Sequence, residues 1–265
     1  MLSRQKSTLF AIDMERPPII VIPARFGSTR LPGKMLRMID GRPLIAHTVL
    51  ASLRCGWEVQ VATDNEQVAE SAHQAGAKAA MTRADHASGT DRIAELAERS
   101  QWPDNQVVVN VQGDEPLMPP ALVRQVAETL TNDQAADLAT AAAPIAEVDA
   151  WLSPEVVKVV RDGQGRALYF SRAAIPYNRD GEGHQKPEVA RRHIGIYAYR
   201  VAALRRLSAA PVAELETQEK LEQLRALTIG QTMSVVDACV LPGPGVDVEA
   251  DLERVYSAMQ QLGTR

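Results

Sequence analysis

With 265 residues, 45 per cent of them hydrophobic and 23 per cent charged, the chain has the composition of a globular protein and the length for one large or two small domains. The 29 basic and 33 acidic residues give a net charge of −4, which argues against general binding to nucleic acid or to a membrane surface. No apolar run approaches a membrane span, and Cys55 and Cys239 lack metal-ligand spacing, so we expect a cytoplasmic protein without membrane insertion.

The first eighteen residues differ in pattern from the rest of the chain. Residues 1–18 alternate polar and apolar types, without the apolar core or the small-residue cleavage site of a signal peptide. We therefore expect a flexible N-terminal extension over 1–18, followed by a single domain over 19–265.

A buried strand and a cationic loop open this domain. Four consecutive β-branched residues at 19–22 are typical of a parallel sheet covered on both faces, and Pro23 is expected to close the strand. Three cations lie in the loop that follows: Arg25, Arg30 and Lys34. Five residues separate Gly27 from Gly33, one more than in a P-loop. The pattern favours a polyphosphate-binding loop of another design, and the alternative is a surface turn that is basic by chance.

Strands and helices then alternate through the first half of the chain. We predict helices over 43–50, 66–75, 93–99 and 122–130, and strands over 57–62, 78–81, 106–111 and 138–143. Asn65 is expected to cap the second helix and Gly76 to end it. This alternation predicts an α/β protein with a Rossmann-like, mostly parallel sheet and helices on both faces.

A polar loop at 82–92 precedes the third predicted helix. Ser88 and Asp91 have the spacing of a helix N-cap, which leaves Arg83, Asp85 and His86 without a structural explanation. At the carboxyl edge of a nucleotide-binding sheet, such a loop is placed to read a base.

A carboxylate follows directly on the predicted strand 106–111. Asp114 stands in the sequence Gln-Gly-Asp-Glu-Pro at 112–116. Magnesium needs only one or two protein carboxylates when substrate phosphates supply other ligands. The alternative is a turn ended by Pro116, and these residues alone leave both interpretations open. A second carboxylate, Asp247, follows the rigid turn 242–245.

The alternation breaks in the second half of the chain. We predict strands over 156–161, 167–170 and 193–199 and interpret 155–200 as an antiparallel excursion from the core sheet, with a mobile loop at 178–188. One amphipathic helix is predicted within 211–227, then a strand over 232–240 and a closing helix over 249–262.

In their order along the chain, these motifs resemble those of the 3-deoxy-manno-octulosonate (Kdo) cytidylyltransferases, the CMP-Kdo synthetases of Gram-negative bacteria. The resemblance is carried by 23–34, 82–86, 110–116, 169–172, 192–197, 221–225 and 245–247. The first of these is shared with sialic-acid cytidylyltransferases, and the later ones single out the Kdo enzymes. The resemblance implies a nucleotide-diphospho-sugar transferase fold, a homodimer built by the excursion, and transfer of CMP from CTP to the anomeric hydroxyl of Kdo for lipopolysaccharide synthesis, with release of pyrophosphate.

The resemblance also implies roles for individual residues. Catalysis is expected from Arg25, Lys34, Asp114 and Asp247, with Mg²⁺ bound to the two aspartates. The nucleotide pocket is expected to comprise Ala24, Arg25, Arg30, Lys34, Arg83, Asp85, Ser88 and Gln112. The sugar pocket is expected to comprise Gln112, Arg172, His193, Tyr197, Glu219 and Gln223. Arg172 and His193 are the candidates for the sugar carboxylate, and the alternative for His193 is a packed strand histidine.

Two other functions remain open at this level. A cytidylyltransferase for another acidic sugar, such as a sialic acid or an amino-substituted Kdo, would share everything up to Asp114 and differ in the sugar loops. A nucleotide-binding regulator without turnover would retain the fold, but the presence of both carboxylates and all three cations disfavours it.

Overall fold

The computed structural model describes residues 16–28, 30–181 and 185–263. Most of the predicted N-terminal extension and the centre of the predicted mobile loop lie outside these residues. In chain order the strands are β1 (Ile19–Ala24), β2 (Met38–Ile39), β3 (Arg42–Pro43), β4 (Glu58–Thr63), β5 (Lys78–Met81), β6 (Val107–Asn110), β7 (Leu138–Pro144), β8 (Lys158–Arg161), β9 (Ala167–Ser171), β10 (Arg191–Arg200) and β11 (Met233–Asp237).

The helices lie between these strands and after the last one. They are α1 (Leu44–Leu53), α2 (Glu66–Gln74), α3 (Gly89–Arg99), α4 (Pro120–Asn132), α5 (Val148–Leu152), α6 (Val201–Ala209), α7 (Glu214–Glu219), α8 (Gln223–Thr228) and α9 (Glu249–Gly263), with a short 3-10 turn at Lys34–Leu36. Among the described residues, no helix combines the length and the apolar character that crossing a bilayer requires.

The main sheet confirms the predicted fold class. Its strands follow the order β11-β7-β10-β6-β1-β4-β5, and β6, β1, β4 and β5 are mutually parallel. β10 lies antiparallel between β6 and β7. Its first residues also pair antiparallel with β8, which forms a hairpin with β9. The antiparallel strands predicted at 155–200 are therefore present, but the last of them is a central strand of the sheet and not an excursion from it.

The β-branched run of β1 is explained by burial on both faces of the sheet. Ile20 and Ile22 belong to one buried cluster, whereas Val21 between them belongs to the cluster on the other face. In β6, Val109 and Val108 divide in the same way. Side chains of a strand alternate between faces, so a strand with two covered faces is apolar at every position.

Pro23 does not close β1 as predicted, because β1 continues to Ala24 with Pro23 paired opposite Ala62 of β4. The ladder between β1 and β6 ends at Val21, whose carbonyl accepts the N–H of Val111 at 3.1 Å. Alternate residues of a strand present their backbone groups to the same side, so Pro23 faces β6 where no further N–H is required.

The chain between β10 and β11 departs furthest from the prediction. Helix α6 was not predicted, and the single helix predicted within 211–227 is two short helices, α7 and α8, separated by Lys220 at φ 55°. Arg225 donates to both oxygens of Glu216, at 2.8 and 2.6 Å, and this buried fork folds α8 back on α7. The leucine spacing was read correctly as helical but gave no sign of the break.

Lys158 of β8 is fully buried, which the sequence pattern did not indicate. Its ammonium donates to the carbonyls of Ser153, Val156 and Arg172, and burial lowers its pKa. These hydrogen bonds fasten the segment after α5 to the end of β9.

Replacing this ammonium should destabilise the protein. We expect Lys158→Met to lower the free energy of unfolding by about 2–4 kcal/mol, because three buried carbonyls lose their donor. The exposed Lys78, which pairs with Glu58 at 3.0 Å, provides the control: Lys78→Met should change it by less than about 0.5 kcal/mol. Urea unfolding of both variants measures the difference, and equal effects would contradict the anchoring role.

Candidate active site

The loops that follow β1, β5 and β6 meet at one edge of the sheet, where they enclose a cavity of about 280 Å³. Six of the predicted site residues line it: Arg25, Arg30, Lys34, Ser88, Gln112 and Asp114. His86, which the sequence singled out without assigning a role, also lines it, and so does Arg92, which sequence reasoning missed. The parallel order of β6, β1, β4 and β5 brings these loops together, since carboxyl ends of parallel strands share an edge.

Lys34 is the centre of the cavity's charged end. Its ammonium donates to Asp114 Oδ2 at 2.5 Å and to the Val246 carbonyl at 2.8 Å, and lies 3.5 Å from Asp247 Oδ1. The Lys34 side chain is only 9% exposed, whereas that of Asp247 is 56% exposed. One cation therefore joins the loops after β1 and β6 to the turn before α9.

The turn before α9 is fixed against the loop after β6 by close backbone packing. The Val246 N–H donates to the Asp114 carbonyl at 2.9 Å. A Cβ on Gly245 would stand 3.2 Å from the same carbonyl and 3.1 Å from Glu115 Oε1, so any larger residue there would need its neighbours to shift by a few tenths of an ångström. Asp247, placed by this turn, accepts a hydrogen bond from Arg30 at 2.8 Å.

Gly113 allows a second close approach on the other side of Asp114. A Cβ at Gly113 would lie 2.9 Å from Met35 Sδ and 3.2 Å from the Pro23 carbonyl. The buried Thr48 hydroxyl of α1 donates to the Gly113 carbonyl at 2.8 Å. The position of Asp114 is thus set by packing on both of its neighbouring segments.

The donor set at this end fits a divalent cation that is shared with a ligand. Asp114 and Asp247 contact the same ammonium, so their oxygens lie within reach of one cation, and carboxylate oxygens suit Mg²⁺. Among the described residues, no group of three or more His, Cys, Asp or Glu side chains is arranged to hold a metal. The remaining ligands of a metal ion here would have to come from a bound anion or from water.

Glu115 is an acidic neighbour that sequence reasoning missed. Burial, and after it the charges of Asp114 and Asp247, raise its pKa to about 7, against a lowering effect of Lys34. Three carboxyl groups therefore lie beside two cations, Lys34 and Arg30, and an additional cation would reduce the repulsion among these carboxyl groups.

A second cavity of about 190 Å³ shares Gly89 and Gln112 with the first. Three predicted sugar-pocket residues line it: Gln112, Tyr197 and Gln223. Glu222 lines it too, whereas Glu219, the glutamate predicted from the same region, does not. Burial raises the pKa of Glu222, and its carboxylate accepts a hydrogen bond from the Thr90 hydroxyl. The polar groups of this cavity therefore come from α3, from β6 and the residues after it, from β10 and from the residues at the start of α8.

Glu219 and Arg172 contact each other outside the linings of both cavities. Glu219 accepts hydrogen bonds from the Ser171 hydroxyl at 2.6 Å and from the Arg172 N–H at 2.9 Å. The Arg172 side chain donates to the Glu219 carbonyl at 2.8 Å. In this arrangement the two residues join the end of α7 to the end of β9.

His193 of β10 lies beside the second cavity and packs between Phe170 and Tyr197, with ring centroids 5.0 and 5.3 Å away. Its Nε2 lies 2.9 Å from the Thr140 hydroxyl. Burial lowers its pKa to about 3, so the ring is neutral near neutral pH and offers a hydrogen bond but no charge. This geometry favours the packed strand histidine over a cation for a sugar carboxylate.

The remaining predicted nucleotide-pocket residues, Ala24, Arg83 and Asp85, do not line the first cavity. Arg83 and Asp85 form an exposed ion pair at 3.0 Å and do not line it. His86, next to them, turns inwards and contacts Glu95 Oε2 at 2.5 Å. Ala24 is fully buried in β1, so its side chain belongs to the core.

The chain is similar to known proteins over most of its length. A protein-family model described as cytidylyltransferase matches residues 19–233. A 3-deoxy-manno-octulosonate cytidylyltransferase of Thioalkalivibrio sulfidiphilus is 49% identical over 245 residues, which cover 91% of this chain and 98% of that protein. One from Methylococcus capsulatus is 51% identical over 241 residues, covering 89% and 94%.

Solved structures agree with these relatives. A structure of CMP:2-keto-3-deoxy-manno-octonic acid synthetase complexed with CTP matches with a TM-score of 0.85 and 41% identity, covering 93% of this chain and 99% of that one. A structure of 4-diphosphocytidyl-2C-methyl-D-erythritol synthase matches with a TM-score of 0.62 at 13% identity, a likeness of fold alone.

The neutral state of His193 should be visible in the pH dependence of stability. Because its pKa is lowered on folding, the unfolded chain takes up the proton first, and stability is lost as the pH falls through the ordinary value of 6.5. Between about pH 7.5 and pH 5, the wild type should lose about 1–2 kcal/mol more than His193→Asn.

Urea unfolding at both pH values measures this slope. His73→Asn, at an exposed position of α2, is the matched control and should keep the wild-type slope. A His193→Asn variant with an unchanged slope would contradict the neutral, buried imidazole.

Proposed function

Because the chain belongs to the 3-deoxy-manno-octulosonate cytidylyltransferases, we propose that it transfers CMP from CTP to the anomeric hydroxyl of Kdo and releases pyrophosphate. The observation that carries the proposal is a pair of adjacent cavities that share Gly89 and Gln112 in their linings. The first is lined by cations and the Asp114 carboxylate, and the second is lined by hydroxyl, amide and carboxyl groups. A nucleoside triphosphate and a polyhydroxy acid would then meet at Gln112.

The charge of the first cavity suits the triphosphate. Arg25, Arg30 and Lys34 line it, and their positive charge offsets the phosphates of CTP. Attack on the α-phosphorus requires alignment of the sugar hydroxyl with the leaving pyrophosphate and stabilisation of the charge that develops. These cations would supply that stabilisation from the wall of the cavity, without a covalent intermediate on the protein.

Asp114 and Asp247 are proposed to hold Mg²⁺ together with the phosphates. The ion would supply positive charge on the phosphates and lower the pKa of the sugar hydroxyl. Support comes from the shared contact of both carboxylates with Lys34 and from the raised pKa of Glu115 beside them. Lys34 keeps the two carboxylates close together and neutralises part of their repulsion.

The second cavity is proposed to bind the sugar. The side chains of Gln112, Tyr197 and Gln223 would form hydrogen bonds with the sugar hydroxyls. Glu222, which lines the same cavity, is proposed to do the same. The roles of Arg172, His193 and Glu219 toward the sugar, and of Ala24, Arg83 and Asp85 toward the nucleotide, stay predictions.

The reaction is proposed to take place in the cytoplasm. Both cysteines are free, as is usual in a reducing compartment, and Cys239 is exposed. A disulfide framework contributes nothing to the stability of the described fold.

A homodimer is part of the proposal. Of the four most exposed large apolar side chains among the described residues, three lie in 155–200: Leu168, Tyr177 and Val189, each at least 60% exposed. Exposed apolar side chains in this segment support its predicted role as the dimer interface. Sedimentation equilibrium should give twice the chain mass of 28.8 kDa, and Leu168→Glu should shift the protein towards one chain mass. A monomeric wild type would contradict the dimer.

The reaction itself is tested by pyrophosphate release from CTP with magnesium, with and without Kdo. We expect Kdo-dependent release, and no release when a purine nucleotide replaces CTP, because a pocket that fits the small cytosine ring should exclude the larger purine sterically. Release with a sialic acid or an amino-substituted Kdo but not with Kdo would keep the reaction and change the sugar. Tight CTP binding without pyrophosphate release in the presence of any sugar would favour the nucleotide-binding regulator.

The metal role is tested by Asp114→Asn and Asp247→Asn. Each should lower kcat/KM by at least about 100-fold and raise the magnesium concentration needed for half-maximal activity, because an amide is a poor ligand for this ion. Asp149→Asn, at an exposed position in the first turn of α5, is the control and should leave both unchanged. Magnesium activation that is identical in all three variants would remove the assignment.

A further inference from the structure

The cationic loop 25–34 has more contacts at its end than at its beginning. At its end, Lys34 is held by Asp114, Asp247 and the Val246 carbonyl, as described above, Arg30 also donates to Asp247, and Leu31 is buried. At its beginning, the N–H of Phe26 donates to Asp64 Oδ1 at 2.8 Å. Residues 25–27 are exposed, so the place of this first part of the loop depends on the Asp64 contact.

Asp64 is itself held from the opposite side. Its second oxygen, Oδ2, accepts a hydrogen bond from Arg92 Nη2 at 3.0 Å, and the two side chains are 12% and 3% exposed. Arg92 Nη1 donates to the Thr82 hydroxyl and, at 3.1 Å, to the Arg83 carbonyl. A single guanidinium on α3 thus connects the ends of β4 and β5 to the start of the cationic loop through Asp64.

This connection is stiff for an electrostatic reason. Hydrogen bonds between a carboxylate and a guanidinium are charge-assisted, and Asp64 uses one oxygen for each partner. Rotating the carboxylate towards solvent would leave the buried Arg92 without its counter-charge, which is costly. The Phe26 N–H therefore has an acceptor at a fixed position relative to α3.

We propose that Asp64 is a positioning residue for the triphosphate. It does not line the cavity, whereas Arg25, next to Phe26, and Arg92 do. Asp64 acts through the Phe26 N–H, which sets where Arg25 and the beginning of the loop stand over the phosphates. The assignment of the ligand as a nucleoside triphosphate rests on the proposed function; the anchoring of the loop does not.

The variant Asp64→Asn tests the hydrogen bonds of Asp64 without changing the size of its side chain. The side chain keeps its size, but its amide nitrogen has to face either the Phe26 N–H or Arg92, and both are donors. One of the two contacts is lost in either orientation, so the loop is released or its anchor is loosened. Arg92→Lys, which keeps the charge but not the fork, should act in the same direction with a smaller effect.

Hydrogen exchange of the free protein measures the loop directly. In Asp64→Asn, the Phe26 amide should exchange at least about tenfold faster, while those of α4 stay as in the wild type. Glu95→Gln is the matched control, because Glu95 of α3 is another carboxylate that accepts from a loop amide, the Arg83 N–H at 3.0 Å, and contacts His86. It should speed exchange of the Arg83 amide and leave that of Phe26 unchanged.

Equilibrium binding without sugar measures the consequence. CTP affinity should fall at least about tenfold in Asp64→Asn, whereas the affinity for cytidine, which has no phosphates for the loop to hold, should stay within about twofold. A loop that exchanges at the wild-type rate, or equal losses for CTP and cytidine, would overturn the positioning role. Faster exchange throughout the domain would overturn it too, since Asp64 would then be a general stability residue.

The two proposals fail in different ways. If the wild type neither binds CTP nor releases pyrophosphate, the proposed function is wrong, but the exchange experiment still decides the anchoring because it needs no ligand. If the wild type turns over CTP and the Asp64→Asn loop is unaltered, only the positioning role is lost.

Discussion

The arrangement of this protein depends on one buried cation. Lys34, in the loop after β1, contacts the Asp114 carboxylate after β6 and the Val246 carbonyl in the turn before α9. These two partners lie 80 and 212 residues further along the chain. A buried ammonium has to be paired, and the Lys34 contacts with Asp114 and the Val246 carbonyl meet that requirement. Gly113 and Gly245 allow the backbones to come close enough for these contacts. The need to pair the buried Lys34 ammonium therefore brings these charged groups together at one end of the first cavity.

The sheet supplies the frame for this cation and for the second cavity. The parallel order of β6, β1, β4 and β5 brings the cationic loop 25–34 and the polar loop 82–92 to one edge of the sheet. β10 is inserted antiparallel beside β6, which places Tyr197 opposite Asn110 and next to the strand that leads to Gln112. A crossover strand of opposite direction thus adds a second set of polar side chains to the edge that the parallel strands form. The nucleotide and the sugar are accordingly expected on adjacent strands of a single sheet.

Ion pairs and charged hydrogen bonds behind the first cavity hold the loops at this edge of the sheet. Arg92 and Asp64 lie behind the first cavity, and Glu95 holds His86 and the Arg83 N–H. Bonds to Arg83, His86 and Arg99 lower the pKa of Glu95 to about 2 against the raising effect of its burial, so this carboxylate stays ionised. Loops at the rim of a sheet lack the ladder that orders a strand, and such pairs supply the order that placement of phosphates requires.

The sequence by itself determined the elements whose signals are local. The β-branched run of β1 and the caps at Asn65 and Ser88 predicted strands and helix starts, since burial on two faces and capping depend on neighbours in the chain. The motifs also indicated Lys34, Asp114 and Asp247 as one site. Only the tertiary structure decided the central place of β10, the break between α7 and α8, the choice of Glu222 over Glu219 for the second cavity, and the burial of Lys158 and of Arg92. Each of these depends on partners distant in sequence, and residue spacing carries no information about which distant carbonyl or carboxylate will accept a given donor.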